Sequence, residues 1–278
     1  MRDKTKFWRN PTGPRRPIVP RDAAAEPPAD GGGEDAGAVR IFGIHAVAAA
    51  LANSARLVSR LRLTDNAENR LADALKQRGV SPERVHPRDL DRLLGEDTVH
   101  QGALLDTAPL EQPTLEALAS VAARGGPIVV LDQVTDPHNV GAILRSAAVF
   151  GASGLVMTRR NAPPLSGALA KVASGALEHI PVALVPNLAR ALAELGDLGV
   201  RRIGLDGDAE RLVEDEDMGT GVALVLGSEG RGLRRLTRES CEVLVRIGGA
   251  GAIASLNVSN AAAIALHVSA VRRRRATT

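Results

Sequence analysis

Six short apolar runs in the second half of the chain constrain its fold more than any other feature. They are PIVVLD (127–132), GLVMT (154–158), PVALV (181–185), IGLD (203–206), VALVLG (222–227) and VLVRI (243–247). A strand with one wet face alternates apolar and polar residues. These runs do not alternate, so both faces must be covered, as in a parallel sheet. Helical spacing fits between them at 140–150, 165–176 and 188–195, and a last helix is predicted over 258–274. Residues 127–278 therefore predict a doubly wound α/β domain, and such sheets bind ligands beyond the carboxyl ends of their strands.

The preceding segment has a different grain. Apolar residues take helical spacing over 41–53 after Gly43, and RLRLT (60–64) is a short strand. A helix over 66–78, a strand at 83–87, a helix at 88–94 and a strand at 100–107 complete a small α/β unit, residues 40–107. Residues 108–126 form a linker with a short helix over 115–123, ending at Gly125-Gly126. Residues 1–39 are rich in Pro, Gly and charge without apolar periodicity, which predicts a disordered charged tail. Within it, residues 1–21 carry seven Lys/Arg against Asp3 alone, and residues 22–35 carry five acids and no base. Arg272–Arg275 form a second basic block. Basic ends suit an anionic partner such as RNA, and equally serve solubility.

Several function classes are disfavoured. The chain has no Tyr, one Trp and three Phe, and Phe7 and Trp8 lie in the tail. RNA binding by base stacking on aromatics is thus a poor fit. The single Cys241 excludes an internal disulfide and any multi-cysteine zinc site, and suits a reducing compartment. No apolar run approaches the roughly 18 residues that span a bilayer, so a cytoplasmic protein without membrane contact is expected. No H-E-x-x-H occurs, and His45 and His100 are expected to be structural, leaving no metal site. The turn after Asp132 lacks G-x-G-x-x-G, which disfavours a dinucleotide. The GSEGRGL segment has Leu233 where a phosphate loop needs Lys-Ser/Thr.

Three segments carry polar residues that core packing does not call for. LDQVTDPHNVGAILRSA (131–147) holds Asp136, His138 and Asn139 in a loop and Arg145 on the following helix. Taken alone, Asn139 serves as a helix cap and Arg145 as a solvated side chain. LVLGSEGRGL (224–233) breaks an apolar strand into glycines around Glu229, itself readable as an exposed turn acid. IASLNVSNAAAIALH (253–267) places Ser and Asn before an alanine-rich helix. Glycines admit close backbone approach, and Ser/Asn bond backbone groups at a helix start, so the last two predict a ligand site made largely of backbone.

Together and in this order, the three segments resemble the motifs of the SpoU (TrmH) RNA 2′-O-ribose methyltransferases, of the SPOUT superfamily. FGIHAV and HQGALL in the first unit are similar to the ribosomal-protein-like substrate domain of the 23S rRNA guanosine branch. The resemblance covers about residues 40–275. It implies a trefoil-knotted catalytic domain binding S-adenosyl-L-methionine, with Gly227, Ile247 and Leu256 lining the pocket. It also implies Arg145 as the central catalytic residue, with Asn139 orienting Arg145 or the ribose and Glu229 holding the loop and arginine network. Ser255 and Asn257 would position cofactor and substrate, and the last helix would form a homodimer. The implied reaction is methylation of a guanosine ribose in 23S rRNA, free or in an assembling large ribosomal subunit, without metal. A tRNA or a thiostrepton-resistance type methyltransferase, or a non-catalytic RNA-binding assembly factor, are the alternatives.

Overall fold

The computed structural model describes residues 38–249 and 256–276. The charged segment 1–37 and Ser255 lie outside the described residues.

The first unit is a four-stranded sheet with helices. Its elements are β1 (Val39–Phe42), α1 (Ile44–Ala52), β2 (Val58–Leu63), α2 (Asp65–Arg70), α3 (Ala72–Arg78), β3 (Glu83–Arg84), α4 (Pro87–Leu94) and β4 (Ala103–Thr107). The strand order is β1-β4-β2-β3, with β4 antiparallel to both its neighbours and β3 parallel to β2. Sequence periodicity missed β1, because residues 41–42 can be counted into the helical stripe that follows. Gly43, at φ 92, separates strand from helix. The helix expected over 66–78 is two helices, interrupted at Leu71, whose ψ of 6° leaves the helical region. Thr64 caps the first of them by accepting from Ala67 N. His86 and Asp89 form a reciprocal box at the start of α4, with Pro87 in its first turn.

The second unit contains β5 (Ile128–Asp132), α6 (Pro137–Phe150), β6 (Gly154–Thr158), α7 (Gly167–Ala173), β7 (Val182–Val185), α8 (Leu188–Asp197), β8 (Arg201–Leu205), β9 (Arg211–Leu212), β10 (Val222–Gly227), α9 (Arg235–Glu239), β11 (Val243–Arg246) and α10 (Val258–Ala276). All the strand pairs are parallel, in the order β7-β6-β5-β10-β8-β11-β9. The six apolar runs are six of these strands; β9 and α9 are too short to show in periodicity. The helix expected over 165–176 stops at Ala173, because Ser174 (φ 51) and Gly175 (φ 90) turn left-handed before a 3-10 turn at Ala176–Glu178.

All five residues of β5 are buried, as continuous apolarity requires. Val129 and Leu131 face one cluster with Ile143 and Leu144 of α6, Leu169 of α7 and Leu266 of α10. Ile128 and Val130 face another with Leu188 and Leu192 of α8 and with Leu115 and Leu118 of α5 (Leu115–Ala122). The helix within the linker segment thus belongs to the core of the large sheet. The first cluster continues into the small unit through Ile41, Val47, Leu51 and Leu63.

From β5 the chain builds outward to β7, then crosses to β8 and leaves a slot that β10 fills. The carboxyl ends of β5, β10 and β8 therefore form a switch point, where an open crevice is expected. The implied knot depends on the path through 250–255, outside the described residues.

Candidate active site

Three loops meet at that crevice. Beyond β5, Asp136 caps α6 by accepting from His138 N at 3.1 Å and Asn139 N at 3.4 Å, with Pro137 in the first turn. Beyond β10, the chain reverses within five residues: Gly232 N donates to Ser228 O at 2.9 Å, with Gly230 and Gly232 at φ 77 and 63. A Cβ on Gly227 would stand 2.1 Å from the Gly232 carbonyl carbon, so this close approach admits only glycine. Fully buried Asp132 ties the two loops together, accepting from Arg234 Nε at 2.7 Å and from Arg234 N at 2.9 Å.

The third loop starts α10, and there the motifs converge on one carboxylate oxygen. Glu229 Oε1 accepts from Asn139 Nδ2 at 3.1 Å, from Asn257 Nδ2 at 2.5 Å and from Val258 N at 3.4 Å. Asn257 Nδ2 also lies 3.0 Å from Asn139 Oδ1. The Oδ1 of Asn257 caps α10, accepting from Ser259 N at 2.8 Å. A carboxylate over the first turn of a long helix is electrostatically favoured, which holds Glu229 where both amides reach it. Glu229 and Asn257 are exposed and Asn139 half-buried, so the cluster faces solvent.

Beside it is a cavity of about 430 Å³, lined by the Gly227–Leu233 loop, Ile247, Leu256 and the segment after β8. Its size lies in the range of about 300–1,000 Å³ typical of small-ligand sites. Gly227, Ile247 and Leu256 are brought together here. The walls are aliphatic (Leu226, Leu233, Val245, Ile247), the floor is loop backbone, and Leu256, 50% exposed, offers an apolar cover. Such a lining fits a nucleoside with an attached aliphatic chain. Sequence reasoning missed Asp206 and Asp208 at the rim and Arg238, which pairs with Asp206 at 3.1 Å. The signal was present in IGLDGD, an apolar strand ending in acid-Gly-acid at the ligand-binding edge.

Arg145 stands apart. Six residues beyond Asn139, it is rotated by about 240° and displaced by about 9 Å along α6. It is exposed and makes no hydrogen bond or ion pair with the described residues. Among the described residues no bond joins Arg145 to Asn139 or to Glu229: Asn139, expected to orient Arg145 or the ribose, bonds Glu229 and Asn257. His138 and His45 are exposed. His100 is buried, donating from Nε2 to Asp91 Oδ1 at 3.0 Å while its Nδ1 accepts from Gly102 N, a structural histidine. Among the described residues, no three His, Cys, Asp or Glu side chains converge as a metal site, and no helix is long and apolar enough to cross a membrane.

A doubly wound parallel sheet with a backbone-and-aliphatic cavity at its switch point, preceded by a small α/β unit that shares its core, defines a cofactor-using α/β enzyme. More specifically, the chain belongs to the SpoU rRNA Methylase family, which matches residues 126–267, and residues 40–113 match the RNA 2′-O ribose methyltransferase substrate-binding family. It is 37% identical over 243 residues to the 23S rRNA (guanosine-2′-O-)-methyltransferase RlmB of Pseudomonas putida, covering 84% of this chain and 96% of that protein. Against RlmB of Ralstonia nicotianae the identity is 41% over 239 residues, covering 84% and 95%. Among solved structures, the SpoU methyltransferase AviRb from Streptomyces viridochromogenes, in complex with AdoMet, is similar with a TM-score of 0.73 and 25% identity, covering 86% of this chain and 91% of that one.

Proposed function

We propose that this chain uses S-adenosyl-L-methionine to methylate the 2′-hydroxyl of a guanosine in 23S rRNA. The observation that carries the reading is the convergence of Asn139, Glu229 and Asn257 at the mouth of the Gly227–Ile247–Leu256 cavity. The named function of the RlmB relatives, similar over most of the chain, supports the substrate.

Bound in the cavity, S-adenosyl-L-methionine supplies an electrophilic methyl group on a cationic sulfur. Gly227, Ile247 and Leu256 hold the ligand through close backbone approach and aliphatic contact. Asp206, Asp208 and Glu229 offer carboxylates toward a cation, balanced along the same lining by Arg231, Arg238 and Arg246, with Arg238 paired to Asp206. Glu229 fixes the amides of Asn139 and Asn257, and these orient the ribose hydroxyl; Ser255, two residues before Asn257 in sequence, is assigned a share in this by the family resemblance alone. Arg145 anchors an RNA phosphate and stabilises negative charge developing on the hydroxyl oxygen. A guanidinium keeps its proton and has no acceptor while charged, so charge stabilisation suits it better than proton removal.

Arg145 reaches its task in a homodimer. Its exposed position on α6, one turn from Val149 at 75% exposure, supports a face completed by a second copy through α6 and α10. Residues 40–107 present the RNA, 108–126 connect, and 127–278 form the catalytic domain with the knotted path of the family. The basic tail within 1–39 adds salt-dependent RNA affinity. The protein works in the cytoplasm, on free rRNA or an assembling subunit.

The test is transfer of labelled methyl from S-adenosyl-L-methionine to 23S rRNA and to tRNA transcripts, followed by mapping of ribose methylation. Label on a 23S guanosine is expected. Label on tRNA alone replaces the substrate, and cofactor binding without transfer to either leaves an RNA-binding assembly factor.

A further inference from the structure

The joint between the small unit and the large sheet contains a buried ion pair that the chemistry above does not use. Arg56, in the turn between α1 and β2, forks onto Glu178 in the 3-10 turn after α7: Nη2 to Oε1 at 2.9 Å and Nε to Oε2 at 3.0 Å. The side chains are 3% and 2% exposed. Asn53 Nδ2 donates to the second carboxylate oxygen at 2.8 Å, and Arg56 Nη1 donates to Ala108 O at 3.1 Å, where the linker begins. Every strong polar atom of the pair is thereby used.

The surfaces on either side are fitted closely. A Cβ on Gly175 (φ 90) would stand 2.5 Å from Ala49 Cβ, so α1 lies directly on the turn leading to Glu178. Gln101 Oε1 accepts from Ile44 N at 3.0 Å and holds the first turn of α1. Segments FGIHAV and HQGALL, which carry the likeness to a substrate domain, thus build this joint as well. The contact continues toward the reacting groups: α7 packs on α6, and a Cβ on Gly141 would stand 2.7 Å from Val172 Cγ1. Asn139 and Arg145 are on α6.

We propose that Arg56 and Glu178 are positioning residues: their pair locks the RNA-presenting unit in one orientation on the catalytic domain, so that one nucleotide is delivered to the cavity. A buried pair contributes little net stability, because desolvation offsets the attraction, and an apolar pair of equal volume would serve cohesion as well. What a bidentate fork adds is direction, since it bonds in one register only. The inference rests on the proposed RNA methylation and extends it to selection of the methylated position.

The test uses the full chain with Arg56→Met, Glu178→Met, the double variant and the milder Arg56→Lys. Three quantities are read: kcat/KM for 23S rRNA, the Kd for S-adenosyl-L-methionine by calorimetry, and protease cleavage within 108–114. Each Met single variant leaves one buried charge unpaired and opens the joint. The expected result is at least a tenfold fall in kcat/KM, methylation spread to neighbouring nucleotides, cofactor Kd within twofold, and faster linker cleavage. Arg56→Lys keeps the charge without the fork and falls between. The double variant regains closure, with slow linker cleavage, but keeps the spread of methylation. Single variants with wild-type kcat/KM and a single methylated position overturn the proposal. So does a matching loss of cofactor affinity, which marks a support of the catalytic fold. Linker cleavage needs no RNA, so it reports on the joint even if the wild-type chain methylates another substrate.

Discussion

Asn139 and Glu229, ninety residues apart in sequence, are joined side chain to side chain at 3.1 Å, and Asn257 closes the same cluster onto the Glu229 oxygen. One carboxylate therefore orients two amides from two other loops. Glu229→Gln keeps the volume but presents a neutral, weaker acceptor and sets an N–H against donors. Methyl transfer is expected to fall by about 100-fold, the scale of losing one aligned polar group in an active site. Single-turnover assays with labelled S-adenosyl-L-methionine check this, and an unchanged rate removes the cluster from the mechanism.

Arg145 is exposed and forms no hydrogen bond or ion pair among the described residues, and its helix is held by buried Ile143 and Leu144. Arg145→Ala is expected to leave thermal stability within about 0.5 kcal/mol, as for an exposed site, and cofactor affinity unchanged. Transfer should fall by about 10²–10³-fold. Full activity in the variant refutes its role.

Gly227→Ala places a methyl group 2.1 Å from the Gly232 carbonyl carbon, backbone against backbone. The loop must open, and the cavity with it. Calorimetry should show cofactor binding weakened at least tenfold, while the circular dichroism of the helices is retained. Unaltered affinity would place the ligand elsewhere.

Glu216 links the loop after β9 to the sheet, accepting from Arg201 at 2.5 Å and Arg211 at 3.2 Å. Burial pushes its carboxyl pKa up, but the two guanidinium groups outweigh that and hold it below the ordinary glutamate value. A depressed folded pKa contributes stability that is complete above the unfolded value and disappears as pH falls through the folded one. Glu216→Gln is expected to cost about 1.5–3 kcal/mol at pH 7, as for hydrogen bonds to a charged group. Urea titrations at pH 7 and below about pH 4 should show that difference shrinking; a gap independent of pH contradicts the pairing.

Burial pushes the Cys241 thiol up to about 12, and its Sγ donates to Thr237 O at 3.3 Å. The thiolate is the reactive form, so iodoacetamide at pH 8 should leave the native protein unlabelled and modify it rapidly in denaturant. Fast native labelling would show this region opening.

Legibility differed from element to element. The six strands of the large sheet were readable because a strand covered on both faces must be apolar throughout, and that requirement is local. β1 was missed because four residues before a helix carry no period of their own, and its strand identity comes from pairing with β4, more than sixty positions away. The linker helix α5 was found, but its membership of the large core was not, since the sequence shows a buried stripe without showing what buries it. In the candidate site, the resemblance singled out Gly227, Ile247 and Leu256, and the structure lines one cavity with all three. Asp206 and Asp208 were overlooked because two acids in a turn look like any solvated loop.

By itself, the sequence determined the class of the large sheet, the segments that end its strands, and the residue types able to build a backbone-lined cavity. These follow from burial and local backbone freedom, which each stretch of chain carries with it. Only the tertiary structure decided partners: that Asn139 bonds Glu229 and Asn257 and leaves Arg145 exposed, and that Arg56 meets Glu178 in a buried joint. A side chain's partner is set by where distant strands cross, and the slot between β5 and β8 that receives β10 is a property of the assembled sheet.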